Sequence, residues 1–482
     1  MTRTASPKRC SILNSRAGRI FFICCLVFTG KLSNAQSAIN DTSSVRISSV
    51  HISGNKKTKE YIILREMQFH AGDTVNRKTL PGEFIQARNQ VYNTNLFTEV
   101  KIDSLPLPDS SLQVNVHVKE KWYIYPTPQF QLADRNFNEW IKTYHASLNR
   151  VVYGVKFAHY NFSGRHDQLR IYLLNGYSRN FSVSYNNPYI NPKLTQGLNL
   201  GAGFTQNREI SYATSYYNKL INYRKTGFVR SSFTGVAGIS KRTGFFKRVS
   251  LDVYFNYIMA DDSLVSKYNP NYFNSSKRSQ TFPDISLNVS YINTDNINYP
   301  LKGLTYGYGI LKRGLQFSGG INSTLLQGIV SRYIPHGHNW YSNVQLAGIM
   351  RLPFKEQAYI NRRAIGYGNL TLRGLEYYVV DGVAASVGKY TLSKKLMFFD
   401  IPVPFKIKAV PVIPVKIYAK AYGDAGYSYI PHKFDTFLNN RLLYTGGVGL
   451  DIVTLYDVVL KVEYSINQLG EKGLFLHGKA GF

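Results

Sequence analysis

Gly366-Tyr367-Gly368-Asn369-Leu370-Thr371-Leu372-Arg373-Gly374-Leu375-Glu376-Tyr377-Tyr378 breaks the alternation that governs the sequence on either side of it. Before and after it, short segments alternate apolar and polar residues with the period of two that marks amphipathic strands. Within it, one cation lies between leucines and beside a glycine, a pattern that suits an inserted loop better than a strand. What the loop is inserted into depends on its flanks.

Those flanks are uniform from about Phe130 to the end of the sequence. Phe181, Val183 and Tyr185 alternate with Ser182, Ser184 and Asn186, and Leu251, Val253, Phe255 and Tyr257 alternate with Asp252, Tyr254 and Asn256. Leu304, Tyr306, Tyr308 and Ile310 alternate with Thr305, Gly307 and Gly309. The load of 37 Tyr, 28 Phe and 38 Gly also favours many strands, because aromatic side chains suit a pleated surface and glycine suits tight bends. A soluble β-sandwich would show the same alternation. The size and the tyrosine-rich strands favour a barrel in lipid, where a closed sheet satisfies every backbone donor and leaves no edge. At ~22 residues per strand with its connection, residues 130–482 hold about sixteen antiparallel strands. No segment after residue 35 is apolar for long enough to form a membrane helix.

The N-terminus points to export. Arg16 and Arg19 precede the apolar run Ile20 to Phe28, and Ser33-Asn34-Ala35 offers small residues for cleavage, so residues 1–35 read as a secretory signal peptide. Cys10, Cys24 and Cys25 all lie within it, which leaves a chain beginning near Gln36 without thiol chemistry. The net charge is +30, and six of those charges, unopposed by any acid, belong to residues 1–35. The remaining Lys and Arg are scattered on alternating positions among Tyr and Asn, without a basic helix or a nucleic-acid-binding signature. Anionic lipid head groups or an anionic client account better for this charge than nucleic acid does.

Between these regions, residues 42–122 read as a compact mixed module. Val45, Ile47, Val50 and Ile52 mark a strand closed by Gly54-Asn55, and Thr58 is placed to cap a first helix holding Tyr61, Ile62 and Leu64. A second helix follows from about Thr79 to Asn93, with Leu80, Phe84, Ala87 and Val91 at helical spacing. Strands over Thr98–Leu105 and Leu112–Glu120 flank the turn at Pro106-Leu107-Pro108-Asp109.

The order strand, helix, helix, strand, strand resembles a single POTRA domain, the periplasmic module of the Omp85 superfamily. Ile52-Ser53-Gly54-Asn55, Gly72-Asp73, Leu96-Phe97-Thr98-Glu99-Val100 and Val118-Lys119-Glu120 carry that resemblance. The barrel region follows suit. Asn161-Phe162-Ser163-Gly164-Arg165 and Tyr185-Asn186-Asn187-Pro188-Tyr189 look like the family's first hairpins. Asp295-Asn296 with Tyr299-Pro300-Leu301-Lys302-Gly303 is similar to its Arg-Asp-Asn…Phe-Pro-x-x-Gly signature, with Thr294 in place of the arginine. Gly423-Asp424-Ala425-Gly426 resembles a late-strand Asp-x-Gly, and the terminal Phe482 resembles the outer-membrane targeting signal. Leu372-Arg373-Gly374-Leu375 partly resembles the family's Val-Arg-Gly-Phe/Tyr motif, which tips the sixth extracellular loop and folds into the lumen, with leucine in place of both the valine and the aromatic.

The resemblance implies an α+β POTRA domain in the periplasm followed by an all-β barrel in the outer membrane, without a cofactor and without bond-breaking chemistry. It implies insertion or export of other proteins, with unfolded outer-membrane or secreted polypeptides as clients. Outer-membrane lipid, periplasmic chaperones and accessory lipoproteins are its further expected partners. It also implies an ion pair inside the barrel between Arg373 and Asp424, with Asp451 and Glu463 as the other acids in contention. Alternation places Lys416, Tyr418, Lys420 and Tyr422 on the same face as Asp424. The sequence has no Gly-x-Ser-x-Gly, His-Glu-x-x-His or Walker A motif. His336-Gly337-His338 lacks a nearby third ligand and reads as an exposed turn.

Overall fold

A computed structural model describes residues 44–132, 145, 147–275, 277–315, 321–402, 412–431 and 436–479. The expected signal peptide at 1–35, with its three cysteines, and Gly481 and Phe482 lie outside the described residues.

The N-terminal module comprises β1 (Ser44–Ser53), α1 (Glu60–Leu64), β2 (Thr74–Asn76), α2 (Leu80–Asn93), β3 (Phe97–Pro106) and β4 (Leu112–Glu120). Its sheet runs β2-β1-β4-β3, with β1 parallel and β3 antiparallel to β4. The inward positions of the alternating strands meet the apolar stripes of both helices, burying Ile47, Ile62, Phe69, Val91, Phe97, Val114 and Val116 together. Pro81 lies in the first turn of α2, where its missing N–H costs nothing, and the Thr79 hydroxyl bonds Glu83 at 2.8 Å. Thr58 does not cap α1 as its position suggested. The helix begins one residue later, after Lys59, and the Thr58 hydroxyl pairs with the Tyr123 hydroxyl at 3.0 Å instead. The three-residue β2 is too short to carry a periodic signal.

The barrel starts earlier than the change in sequence texture at Phe130, with β5 (Ile124–Leu132). Pro126 and Pro128 hide this strand in the sequence, and they are tolerated because, among the described residues, β5 ends the sheet and pairs only with β6. The next four strands are β6 (Val151–Tyr160), β7 (Gln168–Gly176), β8 (Ser178–Asn187) and β9 (Gln196–Asn207). A separate hairpin, β10 (Glu209–Thr214) with β11 (Leu220–Arg224), precedes β12 (Arg230–Thr243) and β13 (Lys247–Ala260). Then come β14 (Ser279–Thr294), β15 (Gly303–Arg313), β16 (Ser323–Gly337) and β17 (Trp340–Leu352). A long loop carrying the short pair β18 (Arg363–Ile365) and β19 (Val380–Asp381) leads to β20 (Ala384–Pro402). The sheet finishes with β21 (Val412–Tyr429), β22 (Leu442–Val453), β23 (Val459–Asn467) and β24 (Lys472–Lys479). Sixteen of these strands form one antiparallel sheet in sequence order, with β5 and β24 at its two ends.

The module is joined to the turns of the near rim by polar contacts, most of them at least partly buried. Glu66, at the end of α1, accepts from Arg242 of β12 through both carboxylate oxygens and from the Tyr189 hydroxyl at 3.1 Å. Arg65 donates to the carbonyls of Leu194 and Gly244 at 3.1 and 2.8 Å. The end of α2 supplies Tyr92 to Asp457 at 2.9 Å and Asn93 to the Thr294 carbonyl at 2.8 Å.

Burial beside this junction pushes His166 from 6.5 down to about 4, so its ring is neutral in the folded protein. A histidine with a lowered folded pKa favours folding fully above its unfolded pKa. That contribution falls as the pH drops from 6.5 toward about 4, where the unfolded chain takes a proton that the folded one refuses. Thermal unfolding should therefore shift downward across that window, and His166→Asn should flatten the shift. An unchanged pH dependence in the variant would contradict this assignment.

Candidate functional site

The loop between β17 and β20 turns into the lumen. Leu370, Leu372 and Leu375 are buried with Ala347 and Ile349 of β17 and Ala385 and Val387 of β20, so apolar burial fixes the loop's path. A tight turn starts it, with Gly366 at φ 97° and its N–H bonded to the Leu370 carbonyl at 2.7 Å. Gly426 leaves the space that Leu372 occupies, since a Cβ there would stand 3.1 Å from Leu372 Cδ1.

At the tip, Arg373 meets Asp424 of β21. The Arg373 backbone N–H donates to Asp424 Oδ2 at 3.0 Å and Nε donates to the same oxygen at 2.9 Å, while the second guanidinium nitrogen takes Oδ1. This is the bidentate geometry in which a planar guanidinium fits a carboxylate. Nη1 also reaches Thr391 Oγ1 at 2.9 Å, and the guanidinium carbon lies 3.9 Å from the centre of the Tyr422 ring. The Asp424 side chain is fully buried, so the arginine neutralises a charge that has no access to water.

Gly374 is required next to this arginine. Its φ is +87°, and a Cβ would lie 2.6 Å from Ser465 Cβ on β23. We predict that Gly374→Ala destabilises the loop by ~1–3 kcal/mol through left-handed strain and displacement from β23. A wild-type midpoint in urea unfolding would contradict that.

The other acids considered for Arg373 belong to a second cluster. Lys420 pairs with Asp451 and with Glu463, the latter at 2.7 Å, and the Tyr299 hydroxyl donates to Asp451 at 3.0 Å. His477 of β24 bridges two carboxylates, Glu463 at 2.9 Å and the loop's Glu376 at 3.1 Å. Both ring nitrogens are thus engaged by the same groups that could otherwise ligate an ion. Asn467 Nδ2 donates to the Gly374 carbonyl at 2.9 Å, and Tyr422 and Ser465 share a 2.6 Å hydrogen bond. One loop therefore braces β20, β21, β23 and β24 from inside.

Asp295, Pro300 and Gly303 lie apart from Arg373 and shape the turn between β14 and β15. Asp295 Oδ1 accepts from the N–H groups of Leu301 and Lys302 at 3.0 and 3.1 Å, and Gly303 has φ 126° against the Asn293 carbonyl. This turn delivers Tyr299 to Asp451 and, at 5.0 Å between centroids, to Tyr418. Sequence reasoning missed the Lys420 cluster and the His477 bridge. Lys420 was on the correct face, but its partners become visible only once the register pairs it with Gly449 on β22 and Gly449 in turn with Glu463 on β23.

A small mixed module joined to a sixteen-stranded antiparallel barrel, with an arginine loop folded inward, is the Omp85-type architecture with a POTRA domain. Residues 45–121 match the POTRA family, described as a surface antigen variable number repeat. The outer membrane protein assembly factor BamA of Neorickettsia risticii is 24% identical over 284 residues, 58% of this chain and 33% of that protein. The chain thus matches about a third of the length of that relative. Among solved structures, BamA from Haemophilus ducreyi lacking POTRA domains 1–3 has a TM-score of 0.50 at 14% identity, over 90% of this chain and 84% of that one. CdiB from Escherichia coli has a TM-score of 0.52 at 13% identity, over 90% and 75%.

Proposed function

We propose that this protein inserts or translocates client polypeptides at the outer membrane, with its POTRA domain in the periplasm and its barrel in the bilayer. The observation that carries this reading is the state of the sheet's ends. Among the described residues β5 and β24 share no backbone pairing, although the Arg373 loop holds the wall leading to β24 in place. A seam beside a braced wall is suited to admitting a client strand, which would satisfy its backbone donors on the exposed edges as it enters lipid. On the periplasmic side, β3 ends its sheet and, among the described residues, pairs with β4 alone, and β-augmentation on its other edge would hold an extended client with little sequence preference. Chaperones and accessory lipoproteins are further partners on this reading, and no covalent step or cofactor is involved.

Gly478 of β24 provides a test. A Cβ at Gly478 meets nothing within 4 Å, so Gly478→Val is compatible with the folded barrel. In vesicles carrying the protein, the rate at which a denatured barrel client folds into the bilayer should exceed that in empty vesicles and should change in the variant. Equal rates in loaded and empty vesicles would overturn the proposal.

A further inference from the structure

The hairpin β20–β21 continues past its neighbours. Pairing of β20 with β17 ends at Lys394, opposite Trp340, and pairing of β21 with β22 ends at Lys416, opposite Val453. Beyond those points, among the described residues, Met397 to Pro402 and Val412 to Val415 pair only within the hairpin. A bulge between Lys395 and Met397 marks where the extension begins.

The two faces of the extension differ. On the face continuous with the lumen, Phe398, Asp400 and Pro402 stand opposite Lys416, Pro414 and Val412, and Lys395 Nζ lies 5.4 Å from the Phe398 ring centre. That face carries charge. On the outward face Met397, Phe399 and Ile401 stand opposite Ile417, Val415 and Ile413, without a single polar side chain. Met397, Phe399 and Ile401 are 50%, 42% and 44% exposed. Above them on β21 the same outward row continues through Ala419, Ala421, Gly423 and Ala425, so the extension prolongs one uninterrupted apolar stripe of the barrel's outer surface.

We propose that this outward face is a lipid-binding surface seated in the headgroup layer of the periplasmic leaflet. The proposal rests on the membrane reading given above. Length supports it: at ~3.3 Å per residue and a tilt of ~40°, the 18-residue β21 rises ~45 Å along the membrane normal. The apolar band of such barrels is only ~25 Å tall, whereas a bilayer with its headgroups measures ~40–45 Å. The excess puts the extension at headgroup depth. Lys394 Nζ, 5.2 Å from the Trp340 ring centre, pairs a cation with an interfacial aromatic where the extension starts. A bulge at that level lets the hairpin lean against the leaflet while Lys395, Asp400 and Lys416 stay in water.

The test uses the full chain with Cys10, Cys24 and Cys25 replaced by serine and one new cysteine at a time, Phe399→Cys, Phe398→Cys or Val253→Cys. Each variant is labelled with an environment-sensitive fluorophore and reconstituted in phosphatidylethanolamine–phosphatidylglycerol vesicles, without quencher, with lipids carrying a quencher near the headgroup to read 398 and 399, or with lipids carrying a quencher on the acyl chain to read 253. Position 253, mid-strand on the outward face of β13, reports whether the barrel is in the bilayer at all. The proposal expects the label at 399 to be quenched severalfold more than the label at 398. A quenched 253 with 399 and 398 both unquenched would overturn it and favour a protein partner for this face. Equal quenching at 398 and 399 would also overturn it, because the seating would not be one-sided. An unquenched 253 would instead remove the membrane reading on which it rests.

Discussion

Asp424→Ala is expected to lower the stability of the barrel by ~3–5 kcal/mol, because it leaves the largely buried Arg373 guanidinium without its counter-charge. The loss is larger than that of an exposed ion pair, which is worth ~0–1 kcal/mol, since Asp424 is fully buried and the Arg373 side chain is only 16% exposed. Arg373→Glu should do at least as much damage by setting two carboxylates against each other. Exchanging the charges, Arg373→Glu with Asp424→Arg, should recover part of the loss but not all of it. The wild-type guanidinium also lies over the Tyr422 ring and bonds Thr391, and a carboxylate above an aromatic face gains nothing. The urea midpoint of the reconstituted barrel measures each variant. A double mutant whose loss equals the sum of the single losses would show that the two residues do not act as a pair.

Glu66→Ala is expected to release the POTRA domain from the barrel while leaving the barrel folded. Arg65, Arg242 and Arg248 all face this carboxylate, so its removal leaves a cluster of like charges at a buried junction. The expected cost is again ~3–5 kcal/mol, now confined to the docking of one domain. Glu66→Gln keeps the side chain's volume and one acceptor oxygen, although its amide NH2 replaces the second acceptor opposite Arg242, and should cost less than Glu66→Ala. The readout is protease cleavage in the connection around Lys121-Trp122, which should accelerate in Glu66→Ala while the barrel fragment stays protected. Equal cleavage rates in variant and wild type would place the docking energy elsewhere, in the Tyr92–Asp457 and Asn93–Thr294 contacts.

Most of the fold was legible because its signals are local. Alternation marked the strands over 181–185, 251–257 and 304–310, and helical spacing marked Leu80 to Asn93. Features set by register were harder to read. The bonds of Lys420 to Asp451 and Glu463, and of His477 to Glu376, join residues that are neighbours only after β21 to β24 pair and the loop folds inward. The docking of Glu66 on Arg242 spans 176 positions and follows no periodicity. The expected cap at Thr58 failed for a related reason, since a tertiary contact with Tyr123 competes for its hydroxyl. The order of strands and helices in residues 42–122 came from local patterns, whereas the Arg373–Asp424 expectation came from family resemblance, and the structure brings those two residues together with the geometry described above.

The most direct test of the assembly role is to deplete the protein in its native cell and quantify the proteins of isolated outer membranes. The proposed function predicts that several unrelated barrels fall together while their periplasmic precursors accumulate. Loss of one secreted or surface protein alone would point to a dedicated exporter. An unchanged set of outer-membrane proteins, accompanied by altered solute uptake, would contradict an assembly role and identify a passive pore.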